Sequence, residues 1–165
     1  MGVTYHYANL TKREWFDVAA LGGNSKFAGV GYSLTTRAFD LLLVKTGRTS
    51  NPKVVECGRW CGDSIAIIGD TDERWEEYYL EFSDLSADVI LLVFSNGGFQ
   101  QIGEAAADDI QLFRQICHLV VTRQAMELEP LLKQFFGTDW THRYQKSCDG
   151  DNHFTYHDLI RTRAG

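Results

Sequence analysis

The chain has 165 residues, 44% of them hydrophobic and 23% charged, which is the make-up of an average globular protein and excludes a disordered or fibrous one. Sixteen Lys and Arg against 22 Asp and Glu give a formal charge of −6, and only Lys12-Arg13 sets two cations side by side, so the basic patch that nucleic acids and anionic membranes both demand is missing. The longest unbroken apolar run, residues 89–94, is far shorter than the roughly 20 residues that cross a bilayer.

In chain order, residues 3–7 are β-branched and aromatic and suit a strand. Thr11-Lys12-Arg13-Glu14 has the form of a capping box, with the Thr11 hydroxyl taking a backbone N–H while Glu14 reaches back. It predicts a helix to Ala20, stopped at Gly22-Gly23. After a loop with four glycines over 22–31, Ser33 is placed to cap a second helix with Leu34, Ala38, Leu41 and Leu42 at amphipathic spacing, ended by Gly47. Residues 53–56 and 64–68 are β-prone runs on either side of 58–62, and a hairpin of the two is expected. Residues 78–82 fit a third strand or the end of a helix.

Asp84 or Ser86 is expected to cap a helix through Phe94, apolar on every side and therefore central, with Asn96-Gly97-Gly98 ending it. Asp108 opens the next helix, with Gln111 at the capping-box position and Ile110, Phe113, Cys117, Val120 and Val121 as its stripe. Pro130 suits the first turn of another, which carries Leu131, Leu132 and Phe135 and stops at Gly137. A short helix over 140–146 lies in a polar C-terminal segment, 138–165, expected to be flexible. The sum is a mainly helical α+β fold with a small antiparallel sheet, in a single globular domain. The N-terminus lacks the cationic-then-apolar layout of a signal peptide. A cytoplasmic chain with four reduced cysteines is the expectation.

The strongest compositional feature is acidic. Residues 70–88 carry eight carboxylates (Asp70, Asp72, Glu73, Glu76, Glu77, Glu81, Asp84, Asp88) against one base, Arg74, with Trp75, Tyr78 and Tyr79 interleaved. Carboxylates steer a basic partner and aromatic side chains anchor it, so Trp75, Glu76, Tyr78 and Tyr79 are candidate binding residues; the alternative is a solvated helix face with the aromatics turned inward. Cys57-Gly58-Arg59-Trp60-Cys61-Gly62 offers a second candidate, a tight loop presenting Arg59 and Trp60, unless Trp60 is a buried staple. Its C-x3-C spacing is neither the redox nor the usual zinc spacing. Gly29-Val30-Gly31 before Ser33 lacks the ending of a phosphate-binding loop, and Gly62-Asp63-Ser64 lacks the closing glycine of a nucleophile elbow.

Near the C-terminus His153 and His157 have the H-x3-H spacing, and Cys148 is near enough to join them on a metal, with Cys57 or Cys61 as a fourth ligand. The scattered ligands favour a polar tail instead. No metal or other cofactor is therefore expected.

Residues 7–16, Tyr7-Ala8-Asn9-Leu10-Thr11-Lys12-Arg13-Glu14-Trp15-Phe16, and the later Gly58-Arg59-Trp60 are similar to segments of small uncharacterised bacterial cytosolic proteins. The resemblance implies a bacterial-type soluble domain and brings no catalytic residue with it. Two functional readings follow. The first is a non-enzymatic acidic module that binds a protein, basic in character, as an inhibitor, immunity-type protein or adaptor, with no nucleic acid or membrane partner. The other is a small enzyme whose site assembles from dispersed Cys, His and acidic residues.

Overall fold

The structure is a computed structural model and describes residues 3–23, 26, 30–31, 34–45 and 55–149. It is mainly helical α+β: among the described residues there are seven α-helices and four short strands. The chain divides into two compact units, residues 1–98 and 99–165. Among the described residues, no helix is long and apolar enough to cross a membrane.

The first unit is built on strands β1 (Tyr5–Asn9), β2 (Glu14–Asp17), β3 (Ile65–Gly69) and β4 (Ser83–Asp84), in the order β3-β1-β2-β4. The first three are antiparallel, and β4 runs parallel to β2, so the sheet is mixed. Strand alternation sends Tyr7, Asn9, Glu14 and Phe16 to one face and His6, Ala8 and Trp15 to the other; all seven are buried, as befits a sheet covered on both sides.

The helix expected from the capping box at Thr11 does not form. Its residues close a hairpin instead: Arg13 adopts a left-handed φ of 58°, the Asn9 side-chain oxygen accepts the Lys12 N–H at 2.8 Å, and the Thr11 hydroxyl accepts the Ser64 N–H at 2.9 Å. Glu14, which was to reach back along a helix, turns into the interior. Tertiary partners for Thr11 and Glu14 override a locally sound helix signal. Of the expected hairpin of 53–56 with 64–68, the described part does not form. β3 pairs with β1, from Asn9 opposite Ile65 to Tyr5 opposite Gly69, while Val55 and Glu56 belong to no strand and residues 53 and 54 lie outside the described residues.

Helix α1 (Leu34–Leu43) runs where its stripe predicts, burying Thr35, Ala38 and Leu42; Ser33 and Gly47 lie outside the described residues. Residues 78–82 fall mostly within α2 (Trp75–Glu81). Helix α3 (Asp88–Ser95) packs against α1 and buries Val89, Ile90, Leu92 and Val93. Neither expected cap serves it. The Asp84 carboxylate accepts the Ser86 N–H at 2.8 Å, and the Ser86 hydroxyl accepts the Asp17 N–H at 3.0 Å, so both side chains join β4 to its surroundings.

The second unit holds α4 (Phe99–Asp108), α5 (Ile110–Thr122), a 3-10 turn (Met126–Leu128), α6 (Glu129–Phe136) and α7 (Trp140–Cys148). Asp109, one residue beyond the expected cap, accepts the N–H groups of Gln111 and Leu112. That shift leaves Ile110 exposed and fills the buried stripe with Leu112, Phe113, Ile116, Cys117, Leu119, Val120 and Val121. Helix α4, absent from the sequence reading, packs on α6 through Gly103, where a Cβ would lie 2.2 Å from the Phe135 ring. Helix α7 buries Trp140 and Tyr144.

Candidate functional site

The loop before β3 carries Arg59 and Trp60 to the sheet face of Glu14. Its backbone is fixed on α1, with Gly58 N–H donating to Leu41 O at 2.8 Å and Trp60 N–H to Leu42 O at 2.9 Å. Arg59 Nε lies 3.1 Å from both Glu14 oxygens, its Nη2 donates to Oε1, and Trp60 Nε1 donates to Oε2 at 2.8 Å. The hydrogen bond to Glu14 pushes the Arg59 pKa further up, against burial. The Trp60 ring, fully buried, stands 5.3 Å from Phe16 and 6.5 Å from Phe39, stapling β2 to α1. Beside it Asn9 Nδ2 donates to Asp63 at 2.7 Å and Lys12 pairs with the same carboxylate. Burial raises the Asp63 pKa, but these bonds outweigh it and the net shift is downward. Both polar groups are internally satisfied, which suits a brace.

The opposite face bears α2. Trp75, Tyr78 and Phe82 follow helical spacing and pack on Ala8, Trp15, Ala66 and Ile68. Tyr78 is buried and Trp75 half-buried, whereas Glu76 is exposed and Tyr79 and Leu80 are 55% and 75% exposed. Of the aromatics singled out from the sequence, Tyr79 alone is exposed to solvent. Leu80, one turn beyond Glu76, was missed; the inward spacing 75-78-82 was the signal that leaves 76, 79 and 80 facing out. Around them Arg74 pairs with Glu77 and Arg13 with Glu81, each at 2.7 Å. Asp70, Asp72, Glu73 and Glu76 are exposed and form no salt bridge among the described residues, giving this end of the sheet a negative field.

Under α2 lies a residue with no sequence signal beyond strand alternation. His6 is buried between Trp15, 3.8 Å away and stacked, and Trp75, 4.3 Å away. Its Nε2 is 3.9 Å from Asp17, and its Nδ1 has no hydrogen-bond partner among the described residues. Desolvation lowers its pKa to about 4, against the raising effect of Asp17, Asp84 and Asp70. The imidazole is therefore neutral near pH 7.

Cysteines and histidines do not assemble among the described residues. Cys57 is half-buried with its thiol 3.4 Å from Asn96 Oδ1, Cys61 is exposed, and Cys117 is buried with its thiol pushed up by desolvation. No group of three metal-capable side chains occurs among the described residues. Cys148 ends α7, while His153 and His157 lie outside the described residues. A cleft of about 390 Å3 opens in the second unit, lined by Ala106, Ala107, Asp108, Ile110, Phe113, Phe136 and Arg143. None of the candidate residues lines it. The chain matches no protein-family model, no curated protein and no solved structure.

Proposed function

We propose that the chain is a non-enzymatic binding module whose contact surface is the outward side of α2, and that its partner is a protein with a basic face. The observation that carries this reading is the pairing of Tyr79 and Leu80, both exposed, with the acidic residues Glu76, Glu73 and Asp72. An exposed tyrosine and leucine supply the apolar centre of an interface, and surrounding carboxylates speed encounter with a cationic surface and reject an anionic one. The helix is held beneath by Trp75, Tyr78 and Phe82, so little further backbone freedom is lost when the outer residues are covered. A bacterial cytosolic setting, and an inhibitor, immunity or adaptor role, belong to the same proposal.

The experiment is affinity capture from the native cell with the wild-type chain and a Glu76→Lys/Leu80→Lys variant, followed by mass spectrometry. Both changed residues are exposed, and equal circular dichroism and melting show that the variant stays folded. The expected result is a stoichiometric basic protein, retained less at high salt and lost with the variant. Recovery of the same proteins in the same yield on both baits overturns the reading.

A further inference from the structure

The two edges of the sheet are unlike. At one, β4 is two residues long, exposed, and carries Asp84, which are the usual ways of blunting an edge. At the other, β3 is Ile65-Ala66-Ile67-Ile68-Gly69, without charge or proline, and its five consecutive pairs with β1 contain no bulge. The bonds from Leu10 N–H to Ser64 O at 2.8 Å and from Asp70 N–H to Thr4 O at 2.9 Å set the phase of this ladder. In an antiparallel pair the backbone groups of alternate residues face the neighbouring strand. Ala66 and Ile68 therefore bond inward to β1, as the Ser64 carbonyl and the Asp70 N–H bond Leu10 and Thr4 at its two ends, and Ile65, Ile67 and Gly69 point their N–H and C=O groups away from the sheet. Among the described residues, nothing takes the N–H or C=O of Ile65 or Ile67, and the Ile67 side chain is 47% exposed.

We infer that β3 pairs antiparallel with β3 of a second copy of this chain, joining two four-stranded sheets into one of eight strands. The strand is self-complementary about its centre. With Ile67 opposite its own counterpart, the two exchange both backbone bonds and set their exposed side chains next to each other. Ile65 then faces Gly69, whose N–H is outward and whose carbonyl already accepts the Asp72 N–H at 2.9 Å, so it takes the new bond on its second lone pair. Ser64 faces Asp70. No carboxylate along β3 meets another, although each copy carries a net charge of −6. A single strand pair is small beside the roughly 1,200–2,000 Å2 of a stable interface, and two acidic copies repel at long range. The dimer is consequently weak, forms as concentration rises, and is strengthened by salt.

Sedimentation velocity over a concentration series, at low and at high salt, tests this on the full chain. The expected result is a mass that climbs from monomer towards dimer, further at high salt. Ile67→Pro deletes the outward N–H and none of the bonds to β1, so it should stay monomeric with unchanged circular dichroism. Should proline disturb the strand, Ile67→Lys supplies the same reading by bringing two cations together at the centre of the pairing. A wild-type chain that stays monomeric at every concentration and salt, or a folded Ile67→Lys that associates as the wild type does, overturns the inference.

Discussion

One hairpin furnishes both faces of the sheet, yet the two faces bury their polar groups on opposite terms. Towards α1, Glu14 and Asn9 enter the interior fully engaged, by Arg59 and Trp60 in one case and by Asp63 in the other. Towards α2, His6 and Trp15 enter as an aromatic stack, and His6 Nδ1 and Trp15 Nε1 have no hydrogen-bond partner among the described residues. The ionic face depends on pairing, because a buried charge is tolerated only with its counter-charge in place. The aromatic face depends on neutrality, because the imidazole is accommodated there as a ring. The period-two alternation of a strand suffices to place the two solutions one residue apart.

Breaking the ionic side should cost most. Glu14→Ala strands the Arg59 guanidinium and the Trp60 indole N–H, and is expected to remove about 4 kcal/mol of stability. Urea unfolding with a lower midpoint and an unchanged slope is the measurement; a loss near that of a surface substitution would show that the pair is not a brace.

The aromatic side should break with acid. With a folded pKa of about 4 against an ordinary value near 6.5, the unfolded chain binds a proton between those limits that the folded chain does not. Stability therefore rises with pH through the window and falls as pH drops from 6.5 towards 4, by on the order of 3 kcal/mol from this one group. His6→Phe keeps a ring in the stack and removes that slope. The check is the stability difference between pH 7 and pH 4.5, expected to be smaller in the variant than in the wild type.

The smallest effect sharpens the contrast most. Arg13 and Glu81 repeat the Arg–Glu pairing of Arg59 and Glu14, but their side chains are 52% and 61% exposed against 15% and 7%. Arg13→Ala, which also removes the guanidinium 5.1 Å from the Phe82 ring centroid, is expected to cost less than about 1 kcal/mol by urea unfolding. Similar losses for Arg13→Ala and Glu14→Ala would erase the distinction between the faces.

Elements whose limits are chemically marked were legible from the sequence. Pro130 and Gly137 bracket α6, Asn96-Gly97 ends α3, and the expected stripes of α1 and, apart from the exposed Ile110, of α5 fall on the covered sides of those helices. What could not be read depends on partners distant in the chain. Thr11 and Glu14 satisfy the capping-box pattern, yet Ser64, Arg59 and Trp60 compete for the same side chains and win. Helix α4 escaped notice because Gly103 weakens its helical pattern, while the Phe135 ring that occupies the space of a side chain lies 32 positions on. At the candidate site the acidic and aromatic content of 72–80 is plain in the sequence, and the loop 57–62 admits Trp60 as a buried staple. Which way Tyr78 and Tyr79 face followed only once the start of α2 was known, and the burial of His6 needed both Trp15 and Trp75.

The close passage of α4 over α6 has a consequence for anyone redesigning the second unit. Replacing a glycine inside a helix by alanine is a common stabilising substitution, worth up to about 1 kcal/mol. Gly103 looks like such an opportunity from its helix alone, but the added methyl would fall 2.2 Å from an aromatic ring and could enter only by moving Phe135 or parting the helices. Further stability there has to come from trimming Phe135 together with filling position 103, so that the two sites vary as one.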